Sequence, residues 1–150
     1  MLQRIQTLYL LLVVILMTIS VFLPLAGVET GQEYRELNAF GLVDASNNLQ
    51  PMWGLFVLSL VVIVIALVAI FKYKKRILQI RLCIFNGLII LGFYALLGVQ
   101  IYLLKQAGEG ASVSLKFALA LPLVSLVLDY LAIRNIGADE VLVRSLDRLR

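Results

Sequence analysis

Few side chains in this 150-residue chain could do chemistry, and those that could are set among apolar neighbours. Asp129 sits in the run Leu126-Val127-Leu128-Asp129-Tyr130-Leu131, the one acid inside such a run. A carboxylate in hydrocarbon is costly, so it marks a proton or solute path, a contact with a partner or lipid headgroup, or a clamp between helices. Asn86 lies five residues after Arg81, and Asp129 lies five residues before Arg134. On antiparallel helices both would stand about 7.5 Å from a basic residue, at matching depth. The spacing predicts an Asp129–Asn86 hydrogen bond, with Arg81 or Arg134 bending in as counter-charge and Gln6 and Thr7 joining the same level. The predicted intramembrane polar cluster is therefore Gln6, Arg81, Asn86, Asp129 and Arg134. Its plainest use is to hold helix register, since long arginine side chains snorkel and relieve the acid.

Other chemistry is discouraged by what is missing. Histidine is absent, which removes the usual general base at neutral pH and the commonest metal ligand. The single cysteine, Cys83, cannot form an intramolecular disulfide and lies in an apolar run. It reads as a small buried hydrophobe ahead of a palmitoylation or redox site. No acid pair has catalytic spacing, and no cluster could hold zinc. The expectation is a protein that is not an enzyme and carries no cofactor.

The elements that hold these residues are apolar helices. At 62% hydrophobic residues, the chain exceeds the roughly 45–50% of an ordinary globular protein. Four runs, at about 5–26, 52–71, 80–104 and 115–134, are long enough to cross a bilayer. Strand pairs exposed to lipid would leave backbone groups unpaired, so the runs read as helices. The first run is longer than a signal-peptide core and lacks a clean cleavage site, so it reads as a retained span. Basic residues fall on alternate sides. Arg4, the Lys72–Arg76 loop with Arg81, and the tail arginines share one side; Arg35, Lys105 and Lys116 take the other. The positive-inside rule then puts both termini in the cytoplasm. The +4 net charge is thereby accounted for without nucleic acid.

The predicted fold class is all-α: a polytopic four-transmembrane-helix bundle over 1–134, with a short cytoplasmic amphipathic tail over 135–150. The outer loop, 27–51, is acidic, with turns at Gly41 and Asn47-Asn48 and a short extended piece at Phe40–Val43. On the third helix Gln79, Asn86, Phe93 and Gln100 recur every seven residues, with Cys83, Ile90 and Leu97 between them, an inward seam. On the fourth, Ala118, Pro122, Ser125 and Asp129 make a second stripe, and Pro122 should bend that helix. After Arg134 the chain should leave the membrane, with a new helix opening at Asp139-Glu140. Its contact face would be Val141, Leu142, Arg144, Leu146, Arg148 and Leu149, resting on anionic lipid or on a protein.

Three strings, MLQRIQTLYLLL, LQIRLCIFN and DEVLVRSLDRLR, stand in this order and spacing. Together they resemble an uncharacterised family of small four-helix integral membrane proteins of the Bacteroidota. The resemblance spans nearly the whole chain and implies four spans in a Gram-negative inner membrane; it implies no activity. The expectation for function is an accessory or assembly subunit of a larger membrane complex. It would act through helix faces, outer loop and tail. A small ion- or proton-coupled carrier using Asp129 is the alternative.

Overall fold

In a computed structural model, the backbone is described at residues 2–30, 33–44, 46–73, 75–107 and 112–148. Four long helices dominate: α1 (Leu2–Phe22), α2 (Trp53–Phe71), α3 (Arg76–Ala107) and α4 (Ala120–Arg148). Each is long and apolar enough to cross a membrane. Their boundaries have local causes. α1 stops at Phe22, two residues before Pro24, whose ring disfavours helical backbone at the residue ahead of it. α2 closes with the Lys72 amide donating to the Val68 carbonyl at 3.0 Å.

The helices alternate in direction and form a closed ring: α1 packs on α2 and α4, and α3 packs on the same two. The core is stacked in layers. One holds Leu10, Ala69, Cys83, Ala132 and Ile136; the next holds Val13, Met17, Val62, Ala66 and Ile90; the third holds Leu25, Leu55, Phe93, Leu97 and Ala118. The outward faces are also apolar, for example Leu8, Leu11 and Ile15 on α1, Val57, Leu60 and Val64 on α2, and Leu88 and Leu91 on α3. Helices apolar all round belong in hydrocarbon, not water.

The all-α expectation needs a correction. The described residues of 27–51 are not an irregular loop. They join the α3–α4 connection in a five-stranded antiparallel sheet, ordered β4-β3-β2-β1-β5. The strands are β1 (Ala26–Thr30), β2 (Glu33–Asn38), β3 (Gly41–Asp44), β4 (Leu49–Pro51) and β5 (Ser112–Leu115). β5 pairs with β1 in the register Ala26↔Leu115, so two connections separated by two helices share one sheet. That sharing requires both connections to lie at the same end of the bundle, as four alternating spans demand. Ala26, Leu37 and Leu42 form the buried face of the sheet, against Ile101 and Leu104 at the end of α3. The predicted turns at Gly41 and Asn47 are present. Gly41 has φ +147°, and a Cβ there would lie 2.1 Å from the Gln50 carbonyl oxygen, so only glycine fits.

Two further expectations change. Pro122 does not bend a helix midway. It falls in the first turn of α4, just after the 3-10 turn Phe117–Leu119, where its missing N–H has no intrahelical partner to lose. Nor does the chain leave the bundle at Arg134 and open a new helix at Asp139. α4 runs on unbroken, with Ile136 and Asp139 still buried. The inward stripe simply continues at helical spacing through Asp129, Ala132, Ile136 and Asp139.

Candidate functional site

The two predicted seams do face each other. Gln79, Cys83, Asn86, Ile90, Phe93 and Leu97 are buried on α3, and Pro122, Ser125 and Asp129 are buried on α4. Tyr94 ties the helices in register, its hydroxyl donating to the Leu119 carbonyl at 2.6 Å. This register brings Asp129 level with Cys83, Asn86 and Gly87, as the depth argument required. One Asp129 oxygen lies 3.7 Å from where a Cβ on Gly87 would stand. A Cβ at that distance would make an ordinary van der Waals contact, so the carboxylate's place does not depend on glycine at position 87.

The predicted partners do not complete the cluster. Asp129 and Asn86 are each 1% exposed, yet neither carboxylate oxygen and neither amide atom has a hydrogen-bond partner among the described residues. Cys83 and Asn86 are the side chains that interact with the acid, at geometry short of a full hydrogen bond. Arg81 and Arg134 are exposed, and neither pairs with Asp129. Five residues along a helix turn a side chain by about 140° at 3.6 residues per turn, so both arginines point out of the bundle when Asn86 and Asp129 point in.

Gln6 also leaves the predicted level. Its amide donates to Asp139 Oδ2 at 2.5 Å, ten residues farther along α4 and so about 15 Å from Asp129. Asp139 in turn offers its backbone carbonyl to Arg76 Nη1 at 3.2 Å. There are thus two polar layers: Gln6–Asp139–Arg76 near the bundle end, closed by hydrogen bonds, and Asp129–Asn86–Cys83 farther in, left open. The sequence reading missed Asp139, which it assigned to the start of a separate tail. The signal was the unbroken three- and four-residue spacing past Arg134.

Beside the open layer lies a groove of about 460 Å³ between α3 and α4. Its walls are Ile84, Leu88, Leu91, Leu126, Val127 and Ile133, with Tyr130 at the edge and Asp129 and Cys83 at the floor. Its rim faces outward, where the exposed residues are apolar. The site is therefore an apolar trough with a single acid at its base. It has no base, nucleophile pair or metal-ligand set beside it: no group of three His, Cys, Asp or Glu side chains that could hold a metal exists among the described residues.

The predicted tail face is only partly assembled. Val141, Leu142 and Arg144 are exposed, and Arg144 Nε donates to Glu140 at 3.0 Å one turn back. Leu149 and the side chains of Leu146 and Arg148 lie outside the described residues. At the opposite end, the sheet carries two charge clusters that spacing did not reveal, one on the face that holds Leu37 and Leu42 and one on the other. Arg35 bridges Glu33 and Asp44 at 2.7 and 3.0 Å, and Lys116 pairs with Glu36 while lying over the Tyr34 ring.

Comparison with curated proteins finds no match. A four-helix chain capped by a small sheet, with these spans and this charge order, is matched by one family model along residues 2–149, and the chain belongs to that family, described as Domain of unknown function (DUF4293).

Proposed function

We propose that this chain is a non-enzymatic accessory or assembly subunit of a bacterial inner-membrane complex, in a member of the Bacteroidota. It seats a partner's transmembrane helix in the α3–α4 groove. The observation that carries this reading is the pair Asp129 and Asn86, buried with none of their polar side-chain atoms in full hydrogen-bond geometry among the described residues, at the floor of a groove open to the lipid side. A buried polar group without a hydrogen bond costs about 1–3 kcal/mol, more when charged. Lipid tails carry no donor. A helix bearing Ser, Thr, Asn, Gln or Lys at the contact does, and polar side chains of this kind link helices in membranes. The apolar walls supply the packing and the acid supplies the register. By charge bias the sheet end faces the periplasm and the Lys72–Arg76 end the cytoplasm.

Carrier function is the second reading, because an acid within a span is also how proton-coupled transport is built. The two separate on substitution. A carrier loses flux with Asp129→Asn while keeping its partners. An assembly subunit keeps part of its partner binding with Asn, which still accepts a hydrogen bond, and loses it with Asp129→Leu. The test is affinity purification from native membranes in mild detergent, with a photo-crosslinking residue at Leu88 on the groove wall. Support is a stoichiometric partner, cross-linked through a hydrophobic span and lost in Asp129→Leu. An unchanged partner set in a folded Asp129→Leu protein would sink the reading.

A further inference from the structure

We infer that the cleft between the start of α3 and the end of α4 binds the phosphate of an anionic phospholipid headgroup. The cleft, about 650 Å³, is lined by Lys75, Arg76 and Arg81 with Ile77 and Leu78 from the start of α3, and by Glu140 and Val143 from the end of α4. Three cations converge there against one acid, and that acid is already held by Arg144 at 3.0 Å. Lys75 and Arg81 have no ion pair among the described residues. Arg76 spends one donor on the Asp139 carbonyl, which orients its guanidinium. A guanidinium has five N–H donors, so others stay available in a fixed fork suited to phosphate oxygens.

The location selects the source of the phosphate. The cleft opens at the first turn of α3, where the helix dipole favours an anion. Ile77, Leu78 and Val143 are exposed at its rim. Cations beside exposed apolar side chains, at the end of a spanning helix, mark the level where headgroup meets acyl chain. A free anion would need the cations alone; the apolar rim suits a ligand that carries hydrocarbon. The cleft shares no lining residue with the α3–α4 groove, although Arg81 and Cys83 bring the two within two residues of each other on α3. It stands whether or not a partner helix occupies the groove.

The experiment uses the full chain purified in dodecyl maltoside, with lipid binding read by native mass spectrometry and by the shift in unfolding temperature. The probes are phosphatidylglycerol, phosphatidylcholine and inorganic phosphate. Phosphatidylglycerol should bind at least about thirtyfold more tightly than phosphatidylcholine, and Lys75→Gln/Arg81→Gln should remove roughly thirtyfold of that affinity, given two basic residues at about 1 kcal/mol each near an anionic surface. Lys75→Arg/Arg81→Lys should restore it. The double variant should unfold at the wild-type temperature without lipid, because both side chains are exposed. Lys72→Gln/Lys105→Gln, which removes the same charge outside the cleft, should change binding less than about twofold. Equal loss in that control, or equal binding of the two lipids, overturns the site. Inorganic phosphate binding as tightly as phosphatidylglycerol overturns the lipid source.

Discussion

Asp129 and Asp139 are ten residues apart on one helix, both buried, and they face opposite situations. Asp139 accepts a hydrogen bond from Gln6, and Asp129 is met only by Cys83 and Asn86, at geometry short of a full hydrogen bond. The contrast predicts opposite responses to the same kind of substitution. Gln6→Ala should destabilise the isolated protein by about 1–2 kcal/mol, because it orphans a buried carboxylate. In a double-mutant cycle with Asp139→Ala, the two losses should fall short of adding, by a coupling of about 1 kcal/mol. Asp129→Leu should leave the isolated protein as stable or more stable by about 1–2 kcal/mol, since it deletes an unmet demand. Thermal unfolding in detergent measures all of these. A large loss for Asp129→Leu would mean that the acid is satisfied within the chain, and would remove the basis for a partner's donor.

At the scale of elements, the sheet depends on a few local contacts. Gly41→Ala should cost at least about 2 kcal/mol, combining a strained positive φ with a clash against the β4 backbone. Amide hydrogen exchange in β3 and β4 should accelerate while α1 to α4 keep their protection. The β1–β5 end is latched by Lys116. Its hydrogen bond to Glu36, and then its contact with Tyr34, hold the ammonium above its ordinary pKa. A raised folded-state value means that the latch contributes fully below the unfolded lysine value and is lost as pH climbs through the folded one. Exchange in β1, β2 and β5 should therefore speed up above the ordinary lysine range and stay flat through neutral pH. Lys116→Met should abolish that alkaline step. The ion pair is partly exposed to solvent, so the effect is local and modest.

The whole molecule is polar at two ends and apolar between them. α3, at 32 residues, is about 48 Å long, and α4, at 29, about 44 Å, against roughly 30 Å of hydrocarbon. α3 uses its excess to carry the sheet through Ile101 and Leu104; α4 uses its excess at the other end, past Asp139. In a Cys83→Ala background, single cysteines at Ser46 and Ser145 should therefore label from opposite sides of the membrane, with Ser46 reached by an impermeant reagent in intact cells. Both positions are exposed, so labelling reports sidedness and not burial. Labelling of Ser145 instead would invert the topology and move the basic cleft to the periplasmic face.

Four helices, their order and the inward stripes were legible in the chain itself, because hydrocarbon forces each apolar run to satisfy its own backbone and 3.6-residue spacing marks the buried face. The facing of Asn86 and Asp129 followed from depth counting alone. The turns at Gly41 and Asn47 were visible too, since conformations with positive φ admit few residue types. The sheet was not, because β1 and β5 lie more than eighty residues apart and Ser112–Leu115 carries no pattern that names a partner strand. The fate of the arginines was legible as well: five residues turn a side chain by about 140°, so Arg81 and Arg134 face out once Asn86 and Asp129 face in, an angle that depth counting ignores. The separation of Gln6 from Asp129 was not legible. Depth on α1 is set by how α1 slides against α4, and the tertiary fit placed Gln6 beside Asp139, leaving Asp129 open at the base of its groove.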